Sequence, residues 1–364
     1  MHVAENSRTP KSIRVLIVDD SSMTRFLMQE ILETDPLIEV VGLAPDAMEA
    51  RKLIKRLKPE VITLDVEMPG MNGIDFLRNL MRLRPMPVVM VSSFTERGAD
   101  ITFRALEIGA VDFVTKPRVA LDADALASYS KELATKVKVA SAAHLSALTG
   151  RQSSARSTTG RTPDEPPPDR QYGKAKRIVA IGASTGGTEA ICSLLQQMPG
   201  NDCGIVIVQH IPDSFNAAFA QRLNKKVGIN VGNARHGETI RRNCAYVAPA
   251  GTHLAIRKSG SGYECVLSDE EAVGFHRPSV DVLFDSVGRE AGSDAVGIIL
   301  TGMGKDGAEG LATMRKAGAY TIAQDEDSSI VWGMPGEAVK KGGAADVASL
   351  DAIADLVRQR LAQN

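Results

Sequence analysis

Neither sign of charge dominates this sequence: 43 lysines and arginines stand against 44 aspartates and glutamates, for a formal net charge of −1. A surface for nucleic acid or for an anionic membrane needs a basic excess, and there is none. Long apolar runs are missing too. No stretch of about eighteen apolar residues occurs, and the N-terminus MHVAENSRTPKSIR lacks the apolar core of a secretory signal, so the chain reads as soluble, cytoplasmic and without membrane insertion. Cysteine is scarce. Cys192, Cys203, Cys244 and Cys265 all fall in the second half, with no C-x-x-C spacing and no histidine pattern beside them that would ligate zinc. They read as reduced thiols used as small apolar residues.

What is present is an α/β pattern, twice. At 364 residues with 43% hydrophobic residues, the chain is long enough for two domains that each bury a core. In residues 12–138, β-branched runs such as IRVLIV and IEVVGLA alternate with helical patterns such as MTRFLMQEILET and DAMEARKLIKRL. Strands centred near Val15, Val40, Ile62, Val89 and Phe113 imply a parallel, doubly wound sheet joined by crossover helices. Residues 139–173 then turn rich in Ser, Thr, Arg and Pro and nearly free of large apolar side chains. Such a segment cannot offset its own ordering entropy and reads as a flexible linker, with ends on the order of 30 Å apart. Residues 174–364 form a second α/β region, with strands expected in RIVAI, GIVIVQ, YVAPAGTHLAIR, YECVLS, AVGIIL and YTIAQ.

In the first region Asp19 and Asp20 follow the first strand, Asp65 ends the third, Ser92 ends the fourth, and Lys116 with Pro117 follows the fifth. Ligands of an open parallel sheet gather beyond the carboxyl ends of its strands, so these polar residues meet at one edge. Each taken singly could be a helix cap or a turn residue. Taken as a set, the carboxylates repel unless a cation joins them, and hard oxygen ligands suit Mg²⁺. A carboxylate beside a metal and a lysine can act as nucleophile toward a phosphoryl group. The motifs VDDSSMTR, LDVEMPGMNG, VVMVSS and DFVTKP resemble the receiver domain of two-component response regulators, a flavodoxin-like (βα)5 fold. That resemblance implies Asp65 as the phosphoacceptor. It also implies Asp20, Asp65 and the Glu67 carbonyl as Mg²⁺ ligands with Asp19 assisting, Ser92 and Lys116 as phosphoryl contacts, and Phe113 as the aromatic switch residue.

In the second region the stretch IVAIGASTGG runs from a strand into a glycine-rich turn. Ser184 stands where the second glycine of G-x-G-x-x-G would be, and no Walker lysine follows. The match is to G-x-S-x-G over Gly182 to Gly186, which raises Ser184 either as a nucleophile on a strand-to-helix turn or as a helix cap. A nucleophilic serine needs a base, and the base an orienting carboxylate. His210 closes the next strand, at the same sheet edge. His236, His253 and His276 fall in turn or hairpin sequence, and His2 and His144 lie outside both domains. For the carboxylate, Asp306 sits in the glycine loop LTGMGKDGAEG, whereas Asp325 lies among acidic neighbours in AQDEDSS. The order Ser, His, Asp differs from that of α/β-hydrolases, so another doubly wound fold is implied.

IGASTGG, IVIVQHI, YVAPAGTHL, HRPSVDVLF, ILTGMGKDGAEGL and QDEDSSIVWGMP resemble the catalytic domain of chemotaxis protein-glutamate methylesterases. The resemblance implies Ser184 as nucleophile, His210 as general base and then acid, Asp306 as the orienting carboxylate and the Met303 amide as an oxyanion donor, with Thr185 lining the site. It implies hydrolysis of glutamate γ-methyl esters on chemoreceptors, deamidation of receptor glutamines and no cofactor at the esterase site. The implied phosphodonor is the chemotaxis histidine kinase. Two complete sites joined by a linker lead us to expect that the unphosphorylated receiver covers the esterase site and that the acyl phosphate at Asp65 relieves it.

Overall fold

The computed structural model describes residues 12–92, 96–117, 123–144, 172–198 and 202–363. The chain divides into two compact units, 1–145 and 146–364.

The first unit runs β1 (Ile13–Val18), α1 (Ser22–Leu32), β2 (Ile38–Ala44), α2 (Ala47–Leu57), β3 (Val61–Asp65), α3 (Gly73–Leu83), β4 (Val88–Ser92), α4 (Glu96–Ile108), β5 (Asp112–Thr115) and α5 (Ala123–Ser141). Its strands pair in parallel in the order β2-β1-β3-β4-β5. Every residue of β3 and β4 is buried, because crossover helices cover both faces of a parallel sheet. The helices carry their own stop and start signals. Asp46 caps α2 by accepting the amides of Met48 and Glu49, and α2 ends at Lys58 in the left-handed region. In α3, Ile74, Leu77 and Met81 recur at helical spacing and are buried.

Both expected linker boundaries move. Helix α5 continues through Ser141 with Val139 and Ala140 buried, so the chain is still packed where composition placed the linker start. Val137, Val139 and Ala140 give this last turn an apolar face that the change toward serine had masked. At the other end, the Gly173 carbonyl accepts from the Arg242 amide at 3.1 Å and the Ala175 amide donates to Ile240 at 2.9 Å, which ties 173–175 to the second unit. The rest of the expected linker, 145–171, lies outside the described residues.

The second unit runs β6 (Ile178–Ala183), α6 (Gly187–Gln196), β7 (Gly204–Gln209), α7 (Asp213–Lys226), β8 (Asn230–Asn233), β9 (Cys244–Val247), β10 (His253–Ser259), β11 (Gly262–Ser268), α8 (Val280–Ala291), β12 (Ala295–Ile299), α9 (Ala308–Lys316), β13 (Tyr320–Gln324), α10 (Met334–Lys340), β14 (Asp346–Ala348) and α11 (Leu350–Ala362). A seven-stranded parallel sheet has the order β14-β13-β12-β6-β7-β9-β8, and β10 with β11 forms a separate antiparallel hairpin. Helices α6, α7 and α11 pack together, while α8 packs on α9 and the hairpin. Alternate residues of the central strands, Ile178 and Ala180, Val206 and Val208, enter one core with Leu254, Ile256, Val280, Phe284 and Leu311. Phe284 is fully buried there, and its truncation to alanine would cost about 3–5 kcal/mol.

The run YVAPAGTHLAIR is two strands, not one. Pro249 and Gly251 end β9 in the parallel sheet and redirect the chain into the hairpin, Gly251 with φ +76°. Strands β8 and β14 were not expected; NVGN and DVA are short edge strands with no apolar run to announce them. The four cysteines are free, and burial pushes Cys192, Cys203 and Cys265 up to about 12, as reduced apolar residues require.

Candidate functional site

Both sheets reverse their strand order, and each set of candidate residues lies at a reversal. In the first unit the switch falls between β1 and β3. Asp19, Asp20 and Asp65 bring carboxylate oxygens within 4.8 Å of one another, with Asp19 and Asp65 buried and Asp20 exposed. Lys116 reaches in from beyond β5, 2.7 Å from Asp65 Oδ2 and 3.1 Å from Asp19 Oδ2. The Glu67 amide donates to Asp65 Oδ1 at 3.1 Å, which folds the Glu67 backbone over the carboxylate. Burial, reinforced by the Asp19 charge and opposed by Lys116, pushes Asp65 up to about 6. Three clustered carboxylates with one ammonium are a donor set suited to a hard divalent cation. The capping reading of the aspartates does not hold, since Ser21 caps α1 by accepting the Thr24 amide. Ser92 is buried at the end of β4, where its hydroxyl meets the Gly98 carbonyl at 3.4 Å. Phe113 is buried, edge-on to Phe103 at 6.3 Å.

In the second unit the switch falls between β6 and β12. Ser184 follows β6 and His210 follows β7, one residue beyond the paired Ala183 and Gln209, and the His210 amide donates to the Ala183 carbonyl at 3.1 Å. The two residues therefore leave the sheet side by side. Ser184 is not a helix cap: α6 is capped by Gly186, without a side-chain bond. Gly186 has φ +76°, and a side chain there would meet Ile330. Gly302, next to Ser184, must lack a side chain as well, because a Cβ would lie 2.8 Å from Ser184 Cβ.

His210 Nε2 lies 2.8 Å from Asp306 Oδ2, and its buried Nδ1 has no hydrogen-bond partner. Asp306 also accepts from the Ser279 hydroxyl at 2.7 Å and from the amides of Val280 and Asp281 at 2.8 and 3.1 Å, at the N-terminus of α8. Burial alone would raise its pKa. The His210 contact, the Val280 amide and the Ser279 hydroxyl outweigh burial and hold it at about 2. A permanently charged Asp306 keeps the His210 proton on Nε2, so the free lone pair is on Nδ1. The alternative carboxylate, Asp325, is committed to its own turn, where Oδ1 accepts the Ser328 amide and hydroxyl at 3.0 and 2.6 Å. The Met303 amide, one residue past Gly302, has no acceptor among the described residues. Thr185 is buried, and its carbonyl accepts from the Thr301 hydroxyl at 3.0 Å.

Sequence reasoning missed several supporting residues. Gln209, buried at the end of β7, donates to the carbonyls of both Ser184 and His210, at 2.9 and 3.0 Å. Gln324, ending β13, accepts the Thr301 amide at 2.8 Å. Polar residues at the carboxyl ends of apolar strands were the available signal, the same one that picks out Asp65. His276 stacks on His210 with ring centroids 4.0 Å apart and planes 3° from parallel, a contact between segments no spacing connects.

A family model described as CheB methylesterase matches residues 179–357, and one described as response regulator receiver domain matches residues 15–126. The chain is 50% identical over 354 residues to a protein-glutamate methylesterase/protein-glutamine glutaminase of Cupriavidus pinatubonensis, covering 97% of each. It is 51% identical over 356 residues to the protein of the same name from Methylobacillus flagellatus, covering 97% of this chain and 98% of that one. Among solved structures, the catalytic domain of the Thermotoga maritima CheB methylesterase is 31% identical, with a TM-score of 0.49, and is matched over 52% of this chain and 98% of that one.

Proposed function

Because this chain belongs to the protein-glutamate methylesterase/protein-glutamine glutaminase family and carries a response regulator receiver domain, we propose that Ser184, His210 and Asp306 perform the hydrolysis. The reaction is hydrolysis of a protein glutamate γ-methyl ester, or of a protein glutamine amide, controlled by phosphorylation of the receiver. The observation that carries the residue assignment is the 2.8 Å contact between His210 and Asp306, one strand from Ser184.

His210 Nδ1 takes the Ser184 hydroxyl proton as Oγ attacks the γ-carbonyl carbon, and the carbonyl electrons move to oxygen, where the Met303 N–H donates to the oxyanion. The intermediate collapses as the His210 proton passes to the departing methoxide, or to the amine of a glutamine, and methanol or ammonia leaves an acyl-serine. Water then loses a proton to His210, adds to the acyl carbon and releases glutamate with Ser184 restored. Asp306 stays ionised throughout and stabilises the imidazolium. Losing the Met303 donor would raise the barrier by about 3–4 kcal/mol.

The receiver runs from residue 12 through the end of α5 at Ser141 and the esterase from Gly173 to the end of the chain, with the intervening segment as a spacer. Asp65 accepts the phosphoryl group from the chemotaxis histidine kinase. Asp19, Asp20, Asp65 and the Glu67 carbonyl would hold Mg²⁺, which neutralises charge on the phosphoryl oxygens. Lys116 and Ser92 contact that group, and Phe113 reports it to the surface. The substrates are methyl-accepting chemoreceptors at the cytoplasmic face. The deciding assay is methanol release from methylated receptor: the parent should release it and Ser184→Ala should fall by about 10³-fold or more. Equal release by both removes the serine from the mechanism. Asp65→Asn should abolish any rise in rate on adding a phosphodonor.

A further inference from the structure

Beyond β12 the chain makes one more sheet-like contact. Gly302 pairs with Trp332 as an isolated parallel bridge: its amide donates to the Val331 carbonyl at 3.0 Å, and its carbonyl accepts the amides of Gly333 and Met334 at 3.1 and 2.8 Å. Both polar groups of Gly302 are therefore committed to segment 331–334. The Gly302–Met303 bond is trans, and in a planar trans peptide the N–H points opposite to the C=O. With the Gly302 oxygen turned toward residues 333–334, the Met303 N–H is turned away from them, and it has no acceptor among the described residues.

This peptide lies against the nucleophile. The Ser184 amide donates to the Thr301 carbonyl at 3.1 Å, and a Cβ on Gly302 would stand 2.8 Å from Ser184 Cβ. Bond lengths then put the Met303 nitrogen within about 7 Å of Ser184 Cβ, roughly the span of a tetrahedral intermediate on the serine oxygen plus one hydrogen bond. Segment 331–334 is itself tied to the strand ends. The Val331 amide donates to the Thr301 hydroxyl at 3.0 Å, and that hydroxyl donates to the Thr185 carbonyl at 3.0 Å. The Trp332 indole N–H donates to the Gln324 carbonyl at 3.0 Å, while Gln324 Oε1 accepts the Thr301 amide at 2.8 Å. Thr301 is fully buried, so its hydroxyl depends on these protein partners.

Room is short where the segment meets the loop. A Cβ on Gly333 would stand 2.7 Å from the Gly302 oxygen, 3.0 Å from the Gly304 nitrogen and 3.2 Å from Met303 Cα. Gly333 has φ −82° and ψ −73°, in the right-handed region open to every residue. It is the loop, and not the backbone conformation, that leaves no space for a side chain. Resting on the esterase reading above, we propose that segment 331–334 is a strut for the oxyanion donor, with Gly333 and Thr301 as positioning residues that fix the direction of the Met303 N–H. Two amides on the Gly302 oxygen also polarise the shared peptide, which strengthens its N–H as a donor. The donor is thus set before substrate arrives, and such preorganisation is what makes an oxyanion donor effective.

The test replaces the carbonyl oxygen of a small ester by sulfur. A thionoester develops its charge on sulfur, a poor hydrogen-bond acceptor on a longer bond, so it draws little on an oxyanion donor while needing the same serine and histidine. The quantity read is the ratio of kcat/KM for p-nitrophenyl acetate to that for p-nitrophenyl thionoacetate, on the full chain treated with acetyl phosphate. In Gly333→Ala the ratio should fall about 10²-fold, because the oxygen ester slows and the thionoester does not. Thr301→Val, which leaves the Val331 amide without its acceptor, should lower the ratio about tenfold, and Thr301→Ser, which keeps the hydroxyl, should hold the parental ratio. Loss of folded protein slows both esters together and leaves the ratio unmoved. An equal fall for the two esters in Gly333→Ala therefore overturns the proposal; if that variant does not fold, equal ratios in Thr301→Val and Thr301→Ser overturn it. So does a parent that releases methanol from methylated receptor yet shows no higher ratio than hydroxide alone. A parent that releases no methanol refutes the esterase reading instead.

Discussion

His253 Nδ1 accepts the backbone N–H of Ser279 at 3.2 Å, and through this bond the β10–β11 hairpin fixes the residue that fixes Asp306. Its other nitrogen faces the Glu271 carbonyl at 3.0 Å, and the two contacts together fix the orientation of the ring. A side chain remote from the ester thus sets where the carboxylate points.

Ser279→Ala removes one of the donors to Asp306 and also the side-chain cap of α8. The lost hydrogen bond, worth about 1–1.5 kcal/mol, should lower kcat about tenfold with KM for small esters little changed. The lost cap should reduce stability by about 1 kcal/mol, read as a lower urea midpoint.

Acid should destabilise the second unit in two stages. Burial, helped by the neighbouring His210, lowers His276 to about 4 from 6.5. The unfolded chain therefore takes up a proton below about pH 6.5 that the folded chain refuses, and stability falls from there toward pH 4. Asp306, held at about 2 against 3.8, contributes stability that is present above about pH 4 and lost as pH falls through 2. Asp281, which burial raises to about 6, binds a proton in the folded chain over the same range and offsets part of that loss, so the His276 share is read as a difference: from pH 7 to 4 the urea midpoint of His276→Gln should fall less than that of the parent.

Gly302→Ala places a methyl carbon 2.8 Å from Ser184 Cβ and 2.9 Å from its amide nitrogen. The serine must shift by a few tenths of an ångström or more, and misplacement on the order of 1 Å costs about 10²-fold. Ester hydrolysis should fall by about that factor while circular dichroism still reports a folded chain. Near-parental activity would show that the loop can yield.

Chelation separates the two sites. Among the described residues, the acidic cluster of Asp19, Asp20 and Asp65 is the group of side chains placed to hold a metal. EDTA should stop phosphoryl transfer to Asp65 from a radiolabelled donor. Basal hydrolysis of p-nitrophenyl acetate should continue, because the proposed proton acceptor for Ser184 is the His210 imidazole and not a group of that acidic cluster.

Strand ends were legible in the sequence wherever a buried apolar run stopped at a polar residue, and that is how Asp65, Ser184 and His210 could be picked out before any coordinates. Glycine-rich surroundings set Asp306 apart from Asp325 and the family resemblance assigns it the carboxylate's place; in the structure Asp306 meets His210 while Asp325 closes its own turn. Hidden from sequence were contacts made across the chain: His276 on His210, His253 on Ser279, and Gln209 between two carbonyls. Nothing local marks the two histidine contacts, because each ring would fit equally well into a solvated turn, and the strand-end position of Gln209 does not tell which carbonyls it joins. The edge strands β8 and β14 escaped for a related reason, having too few apolar residues to show a period.

His210 and Asp306 stand 96 positions apart in the chain, which has a consequence for synthesis. As the polypeptide emerges from the ribosome, the hydroxyl and the imidazole arrive early, while Asp306 comes only in the loop after β12, the strand that must insert beside β6. The proposed triad is thus complete only in the finished sheet: a chain cut short before β12 would carry Ser184 and His210 without the carboxylate that contacts the ring.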